Sequence, residues 1–300
     1  MIILTVGKSY VDIDGYASAI AYRELLKLQG IDAKFVTKAK INYSIPDSLL
    51  MLPLKPDNYE ITKDDQFIIL DLSNKDFFPE YVDENHIIEI IDHHPGYEDY
   101  WFNKLKDKSI IKPIGSVATI IFEKYKEANL LSKMNPDVAM LLMAAILDNT
   151  LNFTAKITTD HDIIAYHELE KITNISNYAD IYFSDVQKMI ETDLKNAINS
   201  DLKHENIPFL PNTIGQLTIW DYEALKDKIA DIINIMNDNS NEWIINIISL
   251  KSNTSYILCS DELVKSNFTK VINCDNSNIL TIKPALLRKE IFKKAIDANK

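Results

Sequence analysis

Several residue types are scarce in this chain of 300 residues, and each scarcity excludes a class of protein. The two cysteines, Cys259 and Cys274, are too few for the disulfide framework of a small secreted domain, which predicts a reducing, cytoplasmic location. Long hydrophobic runs are missing as well. The longest extends from Ala139 to Leu147, which is too short to cross a bilayer, and residues 1–14 do not resemble a signal peptide.

Positive charge is also in short supply: the net charge is -12, and Arg23 and Arg288 are the only arginines among the 32 basic residues. Such a surface repels nucleic acids and acidic membranes, so we expect neither as a partner. A small anion could still bind through a metal ion, a helix N-terminus or a few clustered basic residues. The remaining composition, 46% hydrophobic and 25% charged residues, is that of a globular protein with a sizeable core.

The first half of the sequence alternates apolar runs with amphipathic stretches. This alternation predicts an α/β fold whose parallel sheet has helices on both faces and binds ligands beyond the carboxyl ends of its strands. The predicted strands are 2–6, 32–37, 66–72 and 87–91. The predicted helices are 18–28, one capped by Ser116 that continues to about 131, and one that begins after Asn135 and ends near 147.

The sequence pattern changes in the second half. A polar stretch over 175–199 is helical in pattern and could connect two domains. After it, short strand-like runs with one helix between them predict a smaller, mixed α/β domain. The runs are 214–220, 242–250 and 254–260, and the helix is 222–236. The expected divisions are a first domain over 1–187, a linker over 188–200 and a second domain over 201–300.

Four groups of acidic residues and histidines follow predicted strands or end a predicted helix. They are Asp12 with Asp14, Asp71, Asp92 with His93 and His94, and Asp148 with Asn149. A single acidic residue after a strand is usually a turn residue or a helix cap. Four groups that one sheet gathers at the same edge favour a metal site. Carboxylates and imidazoles without thiolates suit Mn²⁺, Mg²⁺ or Co²⁺ and also admit Zn²⁺.

A carboxylate shared by two such ions would polarise a phosphoryl oxygen and generate a hydroxide nucleophile, which predicts hydrolysis at phosphorus. The rival interpretation is a phosphatase with an aspartyl nucleophile, because such enzymes also contain Asp-x-Asp-Gly. Those enzymes place the first aspartate directly at the end of the first strand. Here residues 7–10 separate that strand from Asp12, so we favour metal-assisted hydrolysis.

The ordered motifs resemble those of the DHH phosphoesterase superfamily, most closely its manganese-dependent family II inorganic pyrophosphatases and related exopolyphosphatases. The resemblance covers nearly the whole chain. In the first half it rests on VDIDGYASAIAY, FIILDLSN, IIDHHPG, GSVATIIFEKY and MLLMAAILDNTLNF. In the second half it rests on DLKHENI, TIGQLTIWD and PALLRKEIFKKA. It implies an N-terminal DHH domain that binds metal and a C-terminal domain that binds substrate.

The same resemblance implies a set of metal ligands. Asp12 would bind the first ion, whereas Asp14 and His93 would bind the second. Asp71 would bridge the two ions. The implied cofactor is therefore one or two Mn²⁺ ions, with Mg²⁺ or Co²⁺ as alternatives.

Roles in substrate binding and catalysis are implied as well. His94 would contact the phosphate and donate a proton to the leaving group, and Asp92 would orient a histidine. Ser116, at a helix N-terminus, would present N–H groups to a phosphate or simply cap the helix. The residues implied to hold the distal phosphate are Lys203, Arg288 and Lys289.

Two positions depart from the family's pattern. Lys8 stands where the family has a histidine, and an ammonium group has no lone pair for a metal. Asn149, which offers only a neutral carbonyl oxygen, stands where the family has an aspartate. Asp148 lies one residue earlier, and one step on a helix turns a side chain by about 100°, so Asp148 remains a candidate metal ligand only if the end of the helix unwinds locally. We therefore hypothesise that one ion binds firmly and that Lys8 substitutes electrostatically for the other; the alternative is a shifted alignment that hides the true ligands.

These observations lead to one main functional expectation and several alternatives. The main expectation is a hydrolase of phosphoanhydrides similar to inorganic pyrophosphatase, with a short polyphosphate or a nucleotide phosphate as the nearest variant substrate. The alternative from another class is a degenerate relative that binds a phosphate compound or nucleotide and hydrolyses it slowly or not at all. A nuclease of short oligonucleotides fits the acidic surface less well. The expected partner is a small phosphate-containing substrate, and the sequence leaves open whether two copies of the chain form a homodimer.

Overall fold

The computed structural model describes residues 1–275 and 277–299, except for the side chain of Lys289. The chain divides into two compact units, Met1–Tyr182 and Phe183–Lys300. The division falls within a helix that spans Tyr178–Thr192. The segment over 188–200, expected from the sequence to be a linker, is almost entirely helical and lies in the second unit.

The first unit has the α/β architecture predicted from the sequence. Its strands are β1 (Ile2–Thr5), β2 (Tyr10–Val11), β3 (Ala33–Phe35), β4 (Lys40–Ile41), β5 (Gln66–Leu70), β6 (Ile87–Asp92) and β7 (Ser109–Ile111). Its helices are α1 (Ile13–Leu28), α2 (Asp47–Leu50), α3 (Glu98–Leu105), α4 (Val117–Glu127), α5 (Pro136–Asn149), α6 (Asp160–Thr173) and the first residues of α7 (Tyr178–Thr192).

Within residues 1–275 and 277–299, five strands of the first unit form a parallel sheet in the order β3-β1-β5-β6-β7. Residues 67–70 of β5 are all buried, so both faces of the sheet are covered, as is typical of parallel sheets. The chain proceeds from β1 toward β3 but from β5 toward β6, which are opposite directions along the sheet. The carboxyl ends of β1 and β5 therefore form the switch point at which such sheets bind ligands.

The second unit contains a mixed sheet, also as predicted. Its strands are β8 (Lys203–His204), β9 (Thr213–Ile219), β10 (Trp243–Ser249), β11 (Thr254–Cys259) and β12 (Leu280–Ile282), in the order β12-β11-β10-β9-β8. β9 and β10 are parallel, and the other neighbours are antiparallel. Its helices are α8 (Leu194–Ser200), α9 (Tyr222–Leu225), α10 (Ile229–Asn239), α11 (Glu262–Val271) and α12 (Arg288–Ala298). No helix in the described part of the chain combines the length and hydrophobicity required to cross a membrane.

Capping residues fix the starts of the helices around the switch point. Asp12 caps α1 by accepting a hydrogen bond from the N–H of Gly15 at 3.0 Å. Ser116 caps α4, and its hydroxyl oxygen accepts from the N–H of Ala118 at 3.1 Å. Asn135 caps α5, with a proline in the first turn. The last two starts agree with the sequence prediction, because short polar side chains satisfy the free N–H groups of a helix start.

A network around Glu84 ties α3 to the segment before β6. The carboxylate of Glu84 accepts hydrogen bonds from Lys104 and Tyr100 and lies 3.4 Å from Lys75 Nζ. The hydrogen bond from Lys104, followed by that from Tyr100, lowers the pKa of Glu84 to about 2 from its usual 4.5. A carboxylate with a lowered pKa stabilises the fold above pH 4.5 and loses that contribution as the pH falls toward 2.

We expect Glu84→Gln to lower the free energy of unfolding at pH 7 by about 1 kcal/mol, because the network is only partly buried. Urea denaturation at a series of pH values checks this result, and the difference from the natural chain should shrink as the solution becomes more acidic. Glu60→Gln, at an exposed position, is the matched control. A loss that does not change with pH would show that the charge of Glu84 is not responsible.

Candidate active site

The candidate site lies at the carboxyl ends of β1, β5 and β6. Asp12 lies between β2 and α1, Asp71 directly follows β5, and Asp92 ends β6. Gly15 allows these segments to approach, because a β-carbon at this position would lie 3.1 Å from Val6 Cγ1 and 3.6 Å from Asp71 Oδ2. Any side chain at position 15 would therefore crowd the region between β1 and Asp71.

Asp71 is held in an unusual conformation at the centre of this region. Its φ of 57° lies in the left-handed region, which few residues other than glycine and asparagine adopt. Its N–H donates to the carbonyl of Ile91 at 2.9 Å. Its Oδ1 is buried, has no hydrogen-bond partner among the described residues and lies 3.4 Å from His93 Nε2. A buried carboxylate oxygen without a donor is unfavourable, so the geometry indicates a place for a cation.

The buried ring of His93 is oriented by the main chain. Its Nδ1 lies 3.0 Å from the carbonyl oxygen of Ile114, which can only accept a hydrogen bond, so Nδ1 carries a proton. In the neutral imidazole the lone pair is then on Nε2, which faces Asp71 Oδ1 and lies 4.0 Å from Asp14 Oδ2. Lone pairs that face each other repel unless a cation or a proton lies between them. This is the tautomer and orientation of a metal-binding histidine.

Asp92 orients the second histidine of the motif. Its Oδ1 accepts hydrogen bonds from the N–H groups of His93 and His94 and from Nδ1 of His94, at 2.7, 3.1 and 2.8 Å. Burial alone would raise the pKa of Asp92, but hydrogen bonds from His94 and Ser73 lower it. The same hydrogen bond to Asp92 raises the pKa of His94, whose ring is more than half exposed. His94 can therefore hold a proton where a ligand can reach it.

Asp14 is completely buried and bound to the start of α4. The N–H groups of Val117 and Ala118 donate to its carboxylate at 2.9 Å, and the hydroxyl of Ser116 donates at 2.8 Å. Burial raises the pKa of Asp14, whereas nearby His93 and these hydrogen bonds oppose the increase. The helix N-terminus that the sequence assigned to a phosphate or to capping is thus occupied by Asp14, and Ser116 is fully buried.

The last turn of α5 directs Asn149 and Asp148 to different neighbours. Asn149 Nδ2 donates to Asp14 Oδ2 at 2.5 Å. Asp148 Oδ1 lies 2.9 Å from the hydroxyl of Tyr182, and burial raises the pKa of Asp148 to about 7. The rotation between neighbouring helical residues separates the two side chains. Asn149 presents its NH₂ group to Asp14, rather than its carbonyl oxygen.

Negative charge accumulates around Asp71. Burial, followed by the charges of Asp12, Asp14 and Asp92, raises the pKa of Asp71 well above its usual value. Among the described residues, ligand atoms of Asp71, His93 and His94 lie within 4.8 Å of one another. A divalent cation would compensate this charge, and oxygen and nitrogen donors without sulfur suit Mn²⁺, Mg²⁺ or Co²⁺. The residues present therefore fit such an ion.

A cavity of about 430 Å³ adjoins these residues, and Asp12, Asp71 and His94 form part of its lining. Lys8 belongs to the loop after β1, whose neighbouring residues 7 and 9 also line the cavity. The N–H of Lys8 donates to the carbonyl of Phe77 at 3.0 Å. Its ammonium group, however, lies 3.9 Å from Glu80 Oε1, and its side chain is 40% exposed. The structure thus directs the charge of Lys8 toward Glu80.

The basic residues assigned to phosphate binding lie in the second unit. Arg288 begins α12, and its guanidinium donates to the carbonyl and carboxylate oxygens of Asp201 at 2.5 and 2.8 Å. Lys203 is exposed in β8, close in sequence to Asp201. The side chain of Lys289 lies outside the described part of the chain.

Asp162, which could not be identified from the sequence, positions the candidate metal site indirectly. Its carboxylate accepts hydrogen bonds from the N–H of Gly115 at 3.0 Å and from the hydroxyl of Thr119 at 2.6 Å. A β-carbon at position 115 would lie only 2.6 Å from Asp162 Oδ2, so only glycine fits. Because the carbonyl of the preceding residue, Ile114, holds His93, this contact fixes the His93 ring through the main chain. The available sequence signal was a glycine in a chain with only six.

Known proteins match both the sequence and the fold. Residues 2–146 match the model of the DHH family, N-terminal domain. A Bacillus licheniformis protein named "Probable manganese-dependent inorganic pyrophosphatase" is 29% identical over 212 residues, which cover 69% of this chain and 63% of that protein. The manganese-dependent inorganic pyrophosphatase of Bacillus subtilis (strain 168) is 24% identical over 315 residues, which cover 99% of this chain and 98% of the relative.

A solved structure extends the likeness to the whole fold. A chain from Methanococcus jannaschii, provisionally described as a family II inorganic pyrophosphatase, superimposes with a TM-score of 0.62 over 99% of both chains at 22% identity. At this level of identity the likeness shows a common fold. The match over residues 2–146 identifies a DHH family N-terminal domain in the first unit of this chain.

Proposed function

We propose that this protein is a metal-dependent hydrolase that cleaves inorganic pyrophosphate into two phosphates. The observation that carries the proposal is the meeting of Asp71, His93 and His94, with His93 Nε2 directed at the unpartnered Oδ1 of Asp71. The two bacterial relatives support this substrate and this ion, because one is a manganese-dependent inorganic pyrophosphatase and the other carries the same name with the word probable. Mg²⁺ and Co²⁺ are the alternatives with similar donor preferences.

Asp71 and His93 are the residues that we assign most firmly to the ion, with Asp12 beside them. A bound divalent ion would polarise a phosphoryl oxygen and lower the pKa of the attacking water. Asp14 already accepts hydrogen bonds from α4 and Asn149, so it would be a weaker ligand than Asp71. Its main contribution would be to keep α4 and α5 in place around the site.

In the proposed reaction a water molecule attacks one phosphorus atom and releases a proton to the solvent, and the bond from that phosphorus to the bridging oxygen breaks. We assign the protonation of the leaving phosphate to His94. This histidine lines the cavity, and its hydrogen bond to Asp92 at 2.8 Å orients the ring and raises its pKa. An oriented imidazolium is an effective general acid near neutral pH.

A second candidate function is the binding of a phosphate compound with slow turnover or none. Two contacts favour it: Asn149 donates a hydrogen bond to Asp14, and Lys8 directs its ammonium group to Glu80. The hydrogen bond from Asn149 occupies Asp14, and a lysine at position 8 has no lone pair for a metal, so fewer ligands are available for a second ion. We therefore retain the hypothesis that one ion binds firmly, with Lys203 and Arg288 in the second unit as candidate phosphate ligands.

Phosphate release from pyrophosphate with Mn²⁺ separates the two functions. We expect turnover by the natural chain, and its loss when EDTA removes the ion. Calorimetric titration with Mn²⁺ should show one tight ion, and two equally tight ions at neutral pH would contradict our hypothesis. Pyrophosphate binding without phosphate release would favour the second function. In that case Lys8→His combined with Asn149→Asp should increase the rate.

A further inference from the structure

The cavity beside the candidate site has a lining that pyrophosphate does not require. Its volume, about 430 Å³, is in the range of sites for small organic ligands, about 300–1,000 Å³. Pyrophosphate carries only charged oxygen groups and gains no hydrophobic stabilisation from aromatic rings. The lining nevertheless includes the aromatic residues Tyr10, Phe77 and Tyr97. These rings suggest that the ligand has an apolar, planar part.

Each of the three loops that form the site carries one of these aromatic residues. The segment after β1 leads through Tyr10 in β2 to Asp12, and the loop after β5 leads from Asp71 to Phe77. The loop after β6 leads from His94 to Tyr97, which precedes α3. The polar residues Ser9, Ser73 and Asn74 also line the cavity. The elements that place the acidic residues and His94 therefore also place an aromatic wall and hydrogen-bonding groups beside them.

Tyr97 also packs against the hydrophobic core, whereas Phe77 points away from it. The adjacent Phe78 is buried and packs against Trp101, with ring centroids 5.9 Å apart. Phe77 instead leaves 49% of its surface exposed. Its backbone is nevertheless fixed on both sides, because its N–H donates to the carbonyl of Asn74 at 3.2 Å and its carbonyl accepts from the N–H of Lys8 at 3.0 Å. An exposed ring on a fixed turn is a preformed stacking surface.

We propose that this cavity binds the nucleoside part of a nucleoside diphosphate, with the base stacked on Phe77 and the phosphates near Asp71 and His93. A planar base suits the aromatic lining, and its edge and the sugar hydroxyls suit the serine and asparagine groups. This inference rests on the proposed phosphohydrolase function and names a further substrate class for it. Water would attack the terminal phosphorus, the bond to the bridging oxygen would break, and the products would be phosphate and a nucleoside monophosphate.

Binding of two diphosphate analogues to the full-length chain with Mn²⁺ tests the proposal. α,β-Methylene-ADP and methylenediphosphonate share a diphosphate whose bridging oxygen is replaced by carbon, so neither can be hydrolysed at that bridge, and they differ in the nucleoside. We expect calorimetry to show that the nucleoside compound binds at least about tenfold more tightly, as base stacking typically allows. In Phe77→Ala this preference should fall by about tenfold. Phe102→Ala is the matched control, because this ring on α3 is 53% exposed and is outside the cavity lining.

Equal affinities for the two compounds in the natural chain would overturn the proposal. So would a Phe77→Ala variant that keeps the full preference, or failure of both compounds to bind. The readout does not depend on turnover. A chain that prefers the nucleoside compound but releases no phosphate from pyrophosphate would therefore disprove the proposed pyrophosphatase function and support the nucleoside site.

Discussion

Replacing Asp71 with asparagine should lower the rate of phosphate release from pyrophosphate by about a thousandfold or more, because metal-assisted stabilisation of the transition state accounts for several kcal/mol. Asparagine has nearly the same shape and tolerates the positive φ of this position. The substitution removes the negative charge, however. The neutral amide of asparagine is a poor ligand for a divalent ion that would bind between this residue and His93. Titration with Mn²⁺ should show a parallel loss of affinity.

The same substitution should stabilise the chain when no metal is present. Asp71 Oδ1 is buried without a partner among the described residues, and burial, followed by the charges of Asp12, Asp14 and Asp92, raises the pKa of Asp71. Removing one of these clustered charges should increase the free energy of unfolding in EDTA by about 1–2 kcal/mol. In Mn²⁺ the natural chain should be more stable than Asp71→Asn, because binding of the ion stabilises only the natural chain. Urea denaturation in the two solutions measures both effects.

Asp76→Asn is the matched control for Asp71→Asn, because Asp76 is exposed on the same loop. It should change neither the rate nor the response to Mn²⁺. If Asp71→Asn destabilised the chain in EDTA and retained most of the activity, Asp71 would be a structural residue. The metal site would then have to be sought elsewhere.

The limits of strands with long apolar runs could be predicted closely, because a strand that is buried on both faces has apolar residues at consecutive positions. The runs 66–72 and 87–91 became β5 and β6 with nearly the same limits. Helix α6 was not predicted, because its outward face carries Ile163 and Ile164 whereas its inward face carries the charged Asp162. A buried aspartate and exposed isoleucines reverse the pattern from which an amphipathic helix is recognised.

Part of the site could be predicted in the same way. The carboxyl ends of adjacent parallel strands meet at one edge of a sheet, so the strand order alone brings Asp71 close to His93. The hydrogen-bond partners of Asp14 could not be predicted from the sequence. Val117 lies 103 residues further along the chain, and a main-chain N–H group leaves no mark on the residue type. The sequence likewise identified Lys8 as a departure from the family's pattern. The direction of its side chain could not be predicted, because it depends on the contact with Glu80.

Replacing Asn149 with aspartate should lower the free energy of unfolding in EDTA by about 2–3 kcal/mol, because it removes a buried hydrogen bond and puts two acceptors in contact. Asn149 Nδ2 now lies 2.5 Å from Asp14 Oδ2, and burial already raises the pKa of Asp14. Two carboxylates at this distance require a proton or a cation between them. Mn²⁺ should therefore stabilise Asn149→Asp more than it stabilises the natural chain.

Urea denaturation in EDTA and in Mn²⁺ checks this result, with Asn85→Asp at an exposed position as the control. A variant as stable as the natural chain in EDTA would show that the contact between Asn149 and Asp14 does not form. A loss of stability that Mn²⁺ leaves unchanged would show that no cation can enter beside Asp14, so a single ion would be the limit of this fold. Recovery in Mn²⁺ would instead mean that the amide of Asn149 occupies, in the natural chain, the position that a second ion could take.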